Sequence, residues 1–208
     1  MSTVLFVKAN NRSQEESVTV KLYSTFLANY KAANPSDEVI ELDLYNEQLP
    51  YMSAAMINGI FKVAQGMETT AEEQQLADIA NRHIDQFIAA DKVVFAFPLW
   101  NMTVPAVLHT YIDYLNQAGK SFKYTAQGVV GLLEGKQVML LNARGGDYSQ
   151  AHMQAYEMAV NYVARNMQQF GITDVTTIVI EGHNQYPDQS AAIVERGLES
   201  AVAASKQF

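Results

Sequence analysis

Short apolar runs alternate with amphipathic stretches along the whole chain, and this alternation is the feature that most limits the possible folds. Five runs have the length and the β-branched composition of strands: Thr3–Ala9, Val39–Leu44, Lys92–Phe97, Gln137–Leu141 and Val175–Ile180. The stretches between them carry helix signals, such as the apolar stripe of Glu16–Ala33 and the capping box of Thr70–Glu73. Several of the strands are apolar on both faces, which is typical of parallel strands covered by helices on both sides.

This pattern predicts one α/β domain over residues 1–208, with helices on both faces of a parallel sheet. Five strands in a chain of this length fit a doubly wound, flavodoxin-like sheet with strand order 2-1-3-4-5. We also expect helices over residues 149–170 and 188–204, and a hairpin-like excursion before the fourth strand. In such sheets, ligands bind beyond the carboxyl ends of the strands, so the loops after strands one, three and four form the candidate site.

The composition excludes several kinds of protein. The chain has no cysteine, which rules out disulfides, thiolate metal ligands and a cysteine nucleophile. A net charge of −8 leaves no basic stripe for nucleic acid or an anionic membrane. The N-terminal apolar run is too short for a signal peptide, and no run reaches the ~20 residues of a membrane span, so we expect a cytoplasmic protein. The four histidines lack metal-site spacing and no metal is expected, although His183 lies at the ligand-binding end of the fifth strand.

The loop after the first strand has two interpretations. It enters a helix through Ser17, Val18 and Thr19, and the free N–H groups of a helix N-terminus suit a phosphate. The same loop contains Ser13-Gln14-Glu15-Glu16, a capping-box pattern that needs no ligand and whose glutamates would repel a phosphate. From this loop alone, plain capping is favoured. The glycine fingerprints of dinucleotide and triphosphate sites are absent.

The other two loops carry more unusual residues. The third strand runs into Pro98-Leu99-Trp100-Asn101-Met102, which contains the only tryptophan of the chain. Taken alone, this segment is explained by packing of Trp100 in the core. The fourth strand runs into Asn142-Ala143-Arg144-Gly145-Gly146-Asp147-Tyr148, whose adjacent glycines allow positive φ and close approach of the backbone to a flat ligand. A simple strand-to-helix turn explains the same glycines, but the coincidence of these loops at one sheet edge favours a ligand site.

The two segments resemble those of the FMN-dependent NADH:quinone oxidoreductases, also called azoreductases, which usually show Pro-Met-aromatic-Asn-Phe and Ser-Arg-Gly-Gly at these places. The resemblance covers nearly the whole chain, including "NPSDE" after the first helix and "EG" at the end of the fifth strand. It implies an FMN site with three parts: the phosphate at Ser17, Val18 and Thr19; the isoalloxazine wall at Leu99, Trp100, Asn101 and Met102; and the pyrimidine side at Ala143, Arg144, Gly145 and Gly146. Leu99 and Met102 replace the usual Met and Phe, and Ala143 replaces a hydroxyl residue, which removes one hydrogen bond to the flavin.

The resemblance also implies a mechanism and an assembly. In a ping-pong cycle, NADH donates a hydride to tightly bound FMN, and a quinone or aromatic azo compound then takes two electrons. The N–H groups of Gly145 and Gly146 are placed to stabilise negative charge on the pyrimidine ring. In a homodimer with its sites at the interface, Phe122 and Tyr124 would wall the partner's site; alternatively, they cover their own sheet. Tyr148 is either a donor to a ligand or a packing residue at a helix start. The alternative functions are a flavodoxin-type electron carrier and a cofactor-free α/β regulatory module.

Overall fold

The computed structural model describes all 208 residues and contains seven strands. They are β1 Thr3–Lys8, β2 Glu38–Asp43, β3 Lys92–Pro98, β4 Phe122–Thr125, β5 Gly128–Gly131, β6 Gln137–Arg144 and β7 Asp174–Glu181. Five of them form one parallel sheet in the order β2-β1-β3-β6-β7. The predicted order 2-1-3-4-5 is therefore confirmed, because the predicted fourth and fifth strands are β6 and β7.

Six helices accompany this sheet; five lie on its two faces, and the second in chain order packs on the third and fourth. They are α1 Val18–Ala33, α2 Ala54–Ala64, α3 Ala71–Ala89, α4 Ala106–Leu115, α5 Ala159–Gln169 and α6 Ser190–Ser205. Alternate residues of β1 point to opposite faces, as the period of a strand requires. Val4 and Phe6 belong to the core beneath α1 and α6, whereas Leu5 and Val7 belong to the core beneath α3, α4 and α5. None of the helices combines the length and the apolar character that a bilayer span requires.

The long helix predicted over residues 149–170 is wrong in its first half. Only a short 3-10 turn, Gln154–Tyr156, precedes α5. The buried carboxylate of Glu157 accepts hydrogen bonds from the N–H groups of Ala159 (3.1 Å), Val160 (2.8 Å) and Asn161 (3.2 Å), and so caps the start of α5. The first three amides of a helix have no partner within the helix, so the position of this carboxylate sets where α5 begins.

The excursion before β6 is a hairpin, as predicted. Strands β4 and β5 pair in antiparallel register and form a sheet of their own. Phe122 at the start of the hairpin is buried in the core beneath α3, α4 and α5. Tyr124 lies edge-on to it at 5.4 Å between ring centroids and is 74% exposed. The hairpin therefore sends one aromatic ring inward and presents the other at the surface.

A single sheet links distant parts of the chain. Its strands come from both halves of the sequence, and α6 near the C-terminus packs against α1 near the N-terminus. Since each half supplies one part of a shared core, we infer that residues 1–208 fold as one domain.

Candidate active site

The loop after β1 ends at a buried serine that caps α1. The hydroxyl oxygen of Ser17 accepts a hydrogen bond from the N–H of Val20 at 3.3 Å, and the Asn10 side-chain amide donates to the same oxygen at 2.9 Å. The N–H groups of Val18 and Thr19 have no hydrogen-bond partner in the protein. Two free donors and the positive end of a helix dipole therefore lie at the edge of the sheet, an arrangement suited to an anion.

The alternative that residues 13–16 cap this helix is wrong. The Glu16 carboxylate accepts from the N–H of Ser13 at 3.3 Å, and the N–H of Glu16 donates to the Ser13 carbonyl at 3.3 Å. These bonds close a separate turn ahead of the helix, which begins at Val18 and not at Glu16. The buried side chain of Asn10 fixes Ser17 from the end of β1, and this contact makes Ser17 the cap.

The segment after β3 forms a tight two-residue turn. Trp100 and Thr103 exchange backbone hydrogen bonds of 2.9 and 3.1 Å around Asn101 and Met102. Both central residues have positive φ, +49° and +71°, as in the type I′ turn of a hairpin. Trp100 is 37% exposed and Met102 is 43% exposed, so the interpretation of Trp100 as a core residue is wrong. The turn instead presents an indole, an amide and a thioether at the carboxyl end of the sheet.

The two glycines after β6 serve a different purpose from the one expected. The strand extends to Arg144, so Ala143 and Arg144 belong to the sheet and not to a loop. Neither Gly145 nor Gly146 has positive φ, and that expectation is wrong. A Cβ at Gly145 would overlap the Asn184 side chain, whose backbone N–H donates to the Gly145 carbonyl at 3.1 Å. Glycine is therefore required for close approach of the loop after β7, while the N–H groups of both glycines have no partner in the protein.

The side chain of Arg144 holds the neighbouring segments together. Its guanidinium pairs with Glu181 at the end of β7 (2.8 Å) and with Glu157 ahead of α5 (3.2 Å). It also lies 5.3 Å from the centre of the Tyr148 ring. The N–H of Tyr148 donates to Glu181 at 3.0 Å, and its hydroxyl has no partner in the protein, so it remains available as a donor to a ligand; no helix starts at this residue. The positive charge of Arg144 is thus committed to two carboxylates.

One cavity of about 530 Å³ joins these loops. Its lining includes eight of the predicted residues: Ser17, Val18, Thr19, Leu99, Trp100, Ala143, Arg144 and Gly145. The loop after β7 closes it with His183, Asn184 and, at the start of α6, Ser190. The volume is within the range of roughly 300–1,000 Å³ typical of ligand pockets. Two further cavities, of about 460 and 540 Å³, lie at other places and contain none of the predicted residues.

Comparison with known proteins identifies the family. A family model described as a flavodoxin-like fold matches residues 2–204. A Bacillus cereus protein called FMN-dependent NADH:quinone oxidoreductase 3 is 59% identical over 208 residues, and the match covers both chains completely. FMN-dependent NADH:quinone oxidoreductase 1 of Bacillus subtilis is 58% identical over the same full length. The chain belongs to the FMN-dependent NADH:quinone oxidoreductases. The predicted family and the flavodoxin-like fold are therefore confirmed.

Solved structures of this family agree closely in fold. An azoreductase from Bacillus anthracis superposes with a TM-score of 0.98 at 57% identity, with complete coverage of both chains. An FMN-dependent NADH-azoreductase from Bacillus anthracis, solved in complex with FMN, gives a TM-score of 0.92 at 25% identity, covering 100% of this chain and 99% of the other.

The cavity fits the cofactor of the family in its donor set. FMN has an anionic phosphate at one end and a flat ring with carbonyl acceptors at the other. The unpartnered amides of Val18 and Thr19 lie on one side of the cavity, and that of Gly145 lies on the other. Leu99 and Trp100 supply an apolar wall between them. Each part of an FMN-like ligand therefore has a chemically matched surface.

The remaining predicted residues lie at the rim or elsewhere. Asn101, Met102 and Gly146 do not line the cavity; Asn101 and Gly146 directly follow residues that do, and Met102 is the next residue after Asn101. The Asn101 side chain is exposed and makes no hydrogen bond within the protein. Phe122 lies in the core of its own chain, so it cannot wall a partner's site. The exposed Tyr124 remains available for that role.

The structure adds residues that the sequence did not suggest. Asn10 is buried at the end of β1, and its amide orients Ser17. Asn184 follows His183 and contacts Gly145. Burial lowers the pKa of His183, which favours its neutral form. Nearby, hydrogen bonds from Ser149 lower the pKa of Asp147, and Asp147 raises the pKa of Tyr186 by accepting a hydrogen bond from its hydroxyl at 3.1 Å.

Proposed function

We propose that this chain is an FMN-dependent NADH:quinone oxidoreductase that also reduces aromatic azo compounds. One observation carries the proposal: two sets of backbone N–H groups without partners, one at the start of α1 and one after β6, line the same cavity. Full-length relatives at up to 59% identity carry this name. Bound FMN supplies two-electron transfer in two half-reactions, taking a hydride from NADH and giving two electrons to a quinone or azo acceptor.

The phosphate end of the site is built mainly from backbone donors. The N–H groups of Val18 and Thr19, together with the helix dipole of α1, would bind the phosphate, and Ser17 holds the first turn in place. Arg12, exposed on the loop before α1, lines the same cavity without an ion-pair partner and would add one positive charge. Arg144 is already paired with Glu157 and Glu181.

The ring end combines an apolar wall with backbone donors. Leu99, Trp100 and Met102 would pack against the isoalloxazine, and the exposed amide of Asn101 would hydrogen-bond to the ring. Gly145 and Gly146 would direct their free N–H groups, with the strand backbone of Ala143 and Arg144, at the pyrimidine oxygens. Preorganised donors at a point where negative charge develops lower the barrier to electron transfer into the ring. Reduction of the acceptor also consumes protons, which solvent would supply in this proposal.

We further propose that the enzyme is a homodimer with both sites at the interface. Apolar side chains of α2 are exposed, with Ile57 at 55% and Phe61 at 60%, and they line a largely apolar cavity of about 540 Å³. Exposed apolar patches of this kind mark protein interfaces. Tyr124 on the hairpin would then reach the partner's acceptor site. We also propose a cytoplasmic location, where NADH is available. Sedimentation velocity should give twice the 23.1 kDa chain mass, and Phe61→Asp should shift it toward the monomer.

The test of the proposed function is spectroscopic. The purified protein should show a flavin band, and anaerobic NADH should bleach it near one equivalent per site. Turnover with menadione then separates an enzyme from a flavodoxin-type carrier, which would bind FMN without NADH-dependent turnover. Colourless protein that does not quench the fluorescence of added FMN would refute the proposal.

The assignment of individual site residues is tested by binding. Asn101→Ala should weaken FMN binding about tenfold, since it removes one hydrogen bond to the ring. Asn46→Ala, at an exposed amide beyond β2, is the matched control and should leave FMN affinity unchanged. Equal FMN affinity in both variants would return the segment after β3 to a purely structural role.

A further inference from the structure

His183 is the one histidine of the cavity, and the function proposed above leaves it without a role. It follows Gly182, whose φ of +79° turns the chain at the end of β7. Its ring is half-buried. Nδ1 is fully buried without any hydrogen-bond partner, whereas Nε2 keeps contact with solvent and also makes no hydrogen bond within the protein.

This asymmetry between the two ring nitrogens selects a tautomer. A proton on Nδ1 would create a buried N–H with no acceptor, and buried orphan donors are rare because of their desolvation cost. The neutral ring therefore keeps its proton on Nε2, the nitrogen that can reach the cavity. The doubly protonated ring is disfavoured for the same reason, since it too would bury an unpaired N–H at Nδ1. This agrees with the lowering of the pKa of His183 by burial. His183 is thus a fixed, neutral hydrogen-bond donor.

The surroundings of His183 indicate what it donates to. Helices α1 and α6 pack side by side on one face of the sheet, so both begin at the same edge. Ser17 at the cap of α1 and Ser190 at the start of α6 line the cavity together with His183. The amide donors of α1 and the imidazole of His183 line one cavity, whereas the apolar residues Leu99 and Trp100 follow β3, which lies between β1 and β6. Donors gathered around a helix start suit the oxygens of an anion.

His183 would act beside one unpaired cation of the cavity lining. Arg12 and Glu16, both exposed on the loop after β1, line the same cavity, and neither forms an ion pair. Arg144 and Glu181 are paired with one another behind Gly145. Asp147 is occupied by Ser149 and Tyr186. Arg12 is therefore the cation of the lining that is free to face an anion, and His183 adds a donor that carries no charge.

We propose that His183 donates its Nε2–H to a phosphate oxygen of bound FMN and so makes the site select FMN over riboflavin. This inference rests on the proposed function. It assigns His183 to phosphate recognition, with no part in electron transfer to the ring.

The experiment compares two ligands that differ only in the phosphate. The full-length holoenzyme and its variants His183→Leu and His183→Gln are diluted, and the release of FMN is followed by flavin fluorescence to give the dissociation constant. The same measurement is made with riboflavin after exchange. His183→Leu should weaken FMN binding about ten- to a hundredfold, the range for a hydrogen bond to a charged group, and change riboflavin binding by less than about twofold. His183→Gln keeps an N–H donor and should recover most of the FMN affinity.

Each other outcome overturns the proposal in a distinct way. Equal weakening of FMN and riboflavin binding would place His183 at the ring or in the packing of the loop. Unchanged binding of both ligands would show that the imidazole does not contact the flavin. Circular dichroism and the thermal midpoint of each variant show whether it is folded, and His183→Gln carries the test if the leucine variant is not. Failure of the wild-type protein to bind FMN would refute the proposed function itself, before any variant is compared.

Discussion

The positive φ angles at Asn101 and Met102 predict that, in this turn, a glycine variant is more stable than an alanine variant, the reverse of the usual order. Both residues have positive φ between the paired Trp100 and Thr103. Asparagine tolerates this region, and the second position of such a turn usually holds glycine. Met102 has a Cβ there with φ of +71°, so its backbone conformation is strained.

The magnitude follows from two opposing terms. A Cβ in the left-handed region costs about 1–2 kcal/mol, whereas glycine loses about 0.5–1 kcal/mol of additional chain entropy on folding. Met102→Ala and Met102→Gly both remove the half-exposed side chain, so the difference between them isolates the backbone. Met102→Gly should therefore be more stable than Met102→Ala by about 0.5–1 kcal/mol, or about 1–4 °C in Tm for a chain of this size.

The assay is thermal unfolding of both variants, with saturating FMN and after its removal. The matched control is Gln75 on the exposed face of α3, where the alanine variant should be more stable than the glycine variant by about 1 kcal/mol. A higher Tm for Met102→Ala than for Met102→Gly would refute the left-handed turn. Both Met102 variants should bind FMN more weakly than the wild type, because the thioether wall is lost.

Three further predictions concern the scaffold. His83 is 2% exposed, neither ring nitrogen has a hydrogen-bond partner, and burial lowers its pKa. The free energy of unfolding should therefore decrease as the pH falls below about 6.5, by at most about 1.4 kcal/mol per pH unit. Comparing the Tm of the wild type and of His83→Phe between pH 7.5 and 5.5 checks this, and an equal loss in both proteins would contradict it. A Cβ at Gly59 would overlap the Glu73 carbonyl, so Gly59→Ala should destabilise the fold by about 1–3 kcal/mol and lower Tm by about 2–12 °C. A higher Tm, as expected for this change at an open helix position, would refute the close contact of α2 and α3. Arg144→Met leaves Glu157 and Glu181 without their shared cation and should lower the free energy of unfolding in urea by about 3–5 kcal/mol. The control is Glu157→Gln, which keeps the capping oxygen and should lose less stability.

The strand order could be predicted because it depends on local patterns. Each strand of the main sheet is an apolar run bounded by turn residues, and the doubly wound order follows from alternation with helices. The hairpin before β6 was also predictable, since it lacks helical spacing and contains glycines at its ends. These features need no contact between distant residues.

The errors arise where a distant contact decides the local structure. The start of α5 depends on Glu157, an uncommon capping residue, which pairs with Arg144 at the end of β6. The cap of α1 depends on Asn10, which selects Ser17 over the capping-box pattern at Ser13. Gly145 is required by the side chain of Asn184 and not by its own φ. In each case the partner is far along the chain or outside the usual motif, so sequence spacing alone could not identify it.

The same contacts explain how an acidic chain can bind an anionic cofactor. The strong charges near the site neutralise one another: Arg144 pairs with two glutamates, and these pairs fix the ends of β6, β7 and α5. The cavity is then faced by neutral donors, the amides of Val18, Thr19 and Gly145, together with the exposed charges of Arg12 and Glu16 on the loop before α1. The backbone donors keep their strength as the pH changes. FMN affinity should accordingly depend on the geometry of these backbone segments more than on the net charge of the protein.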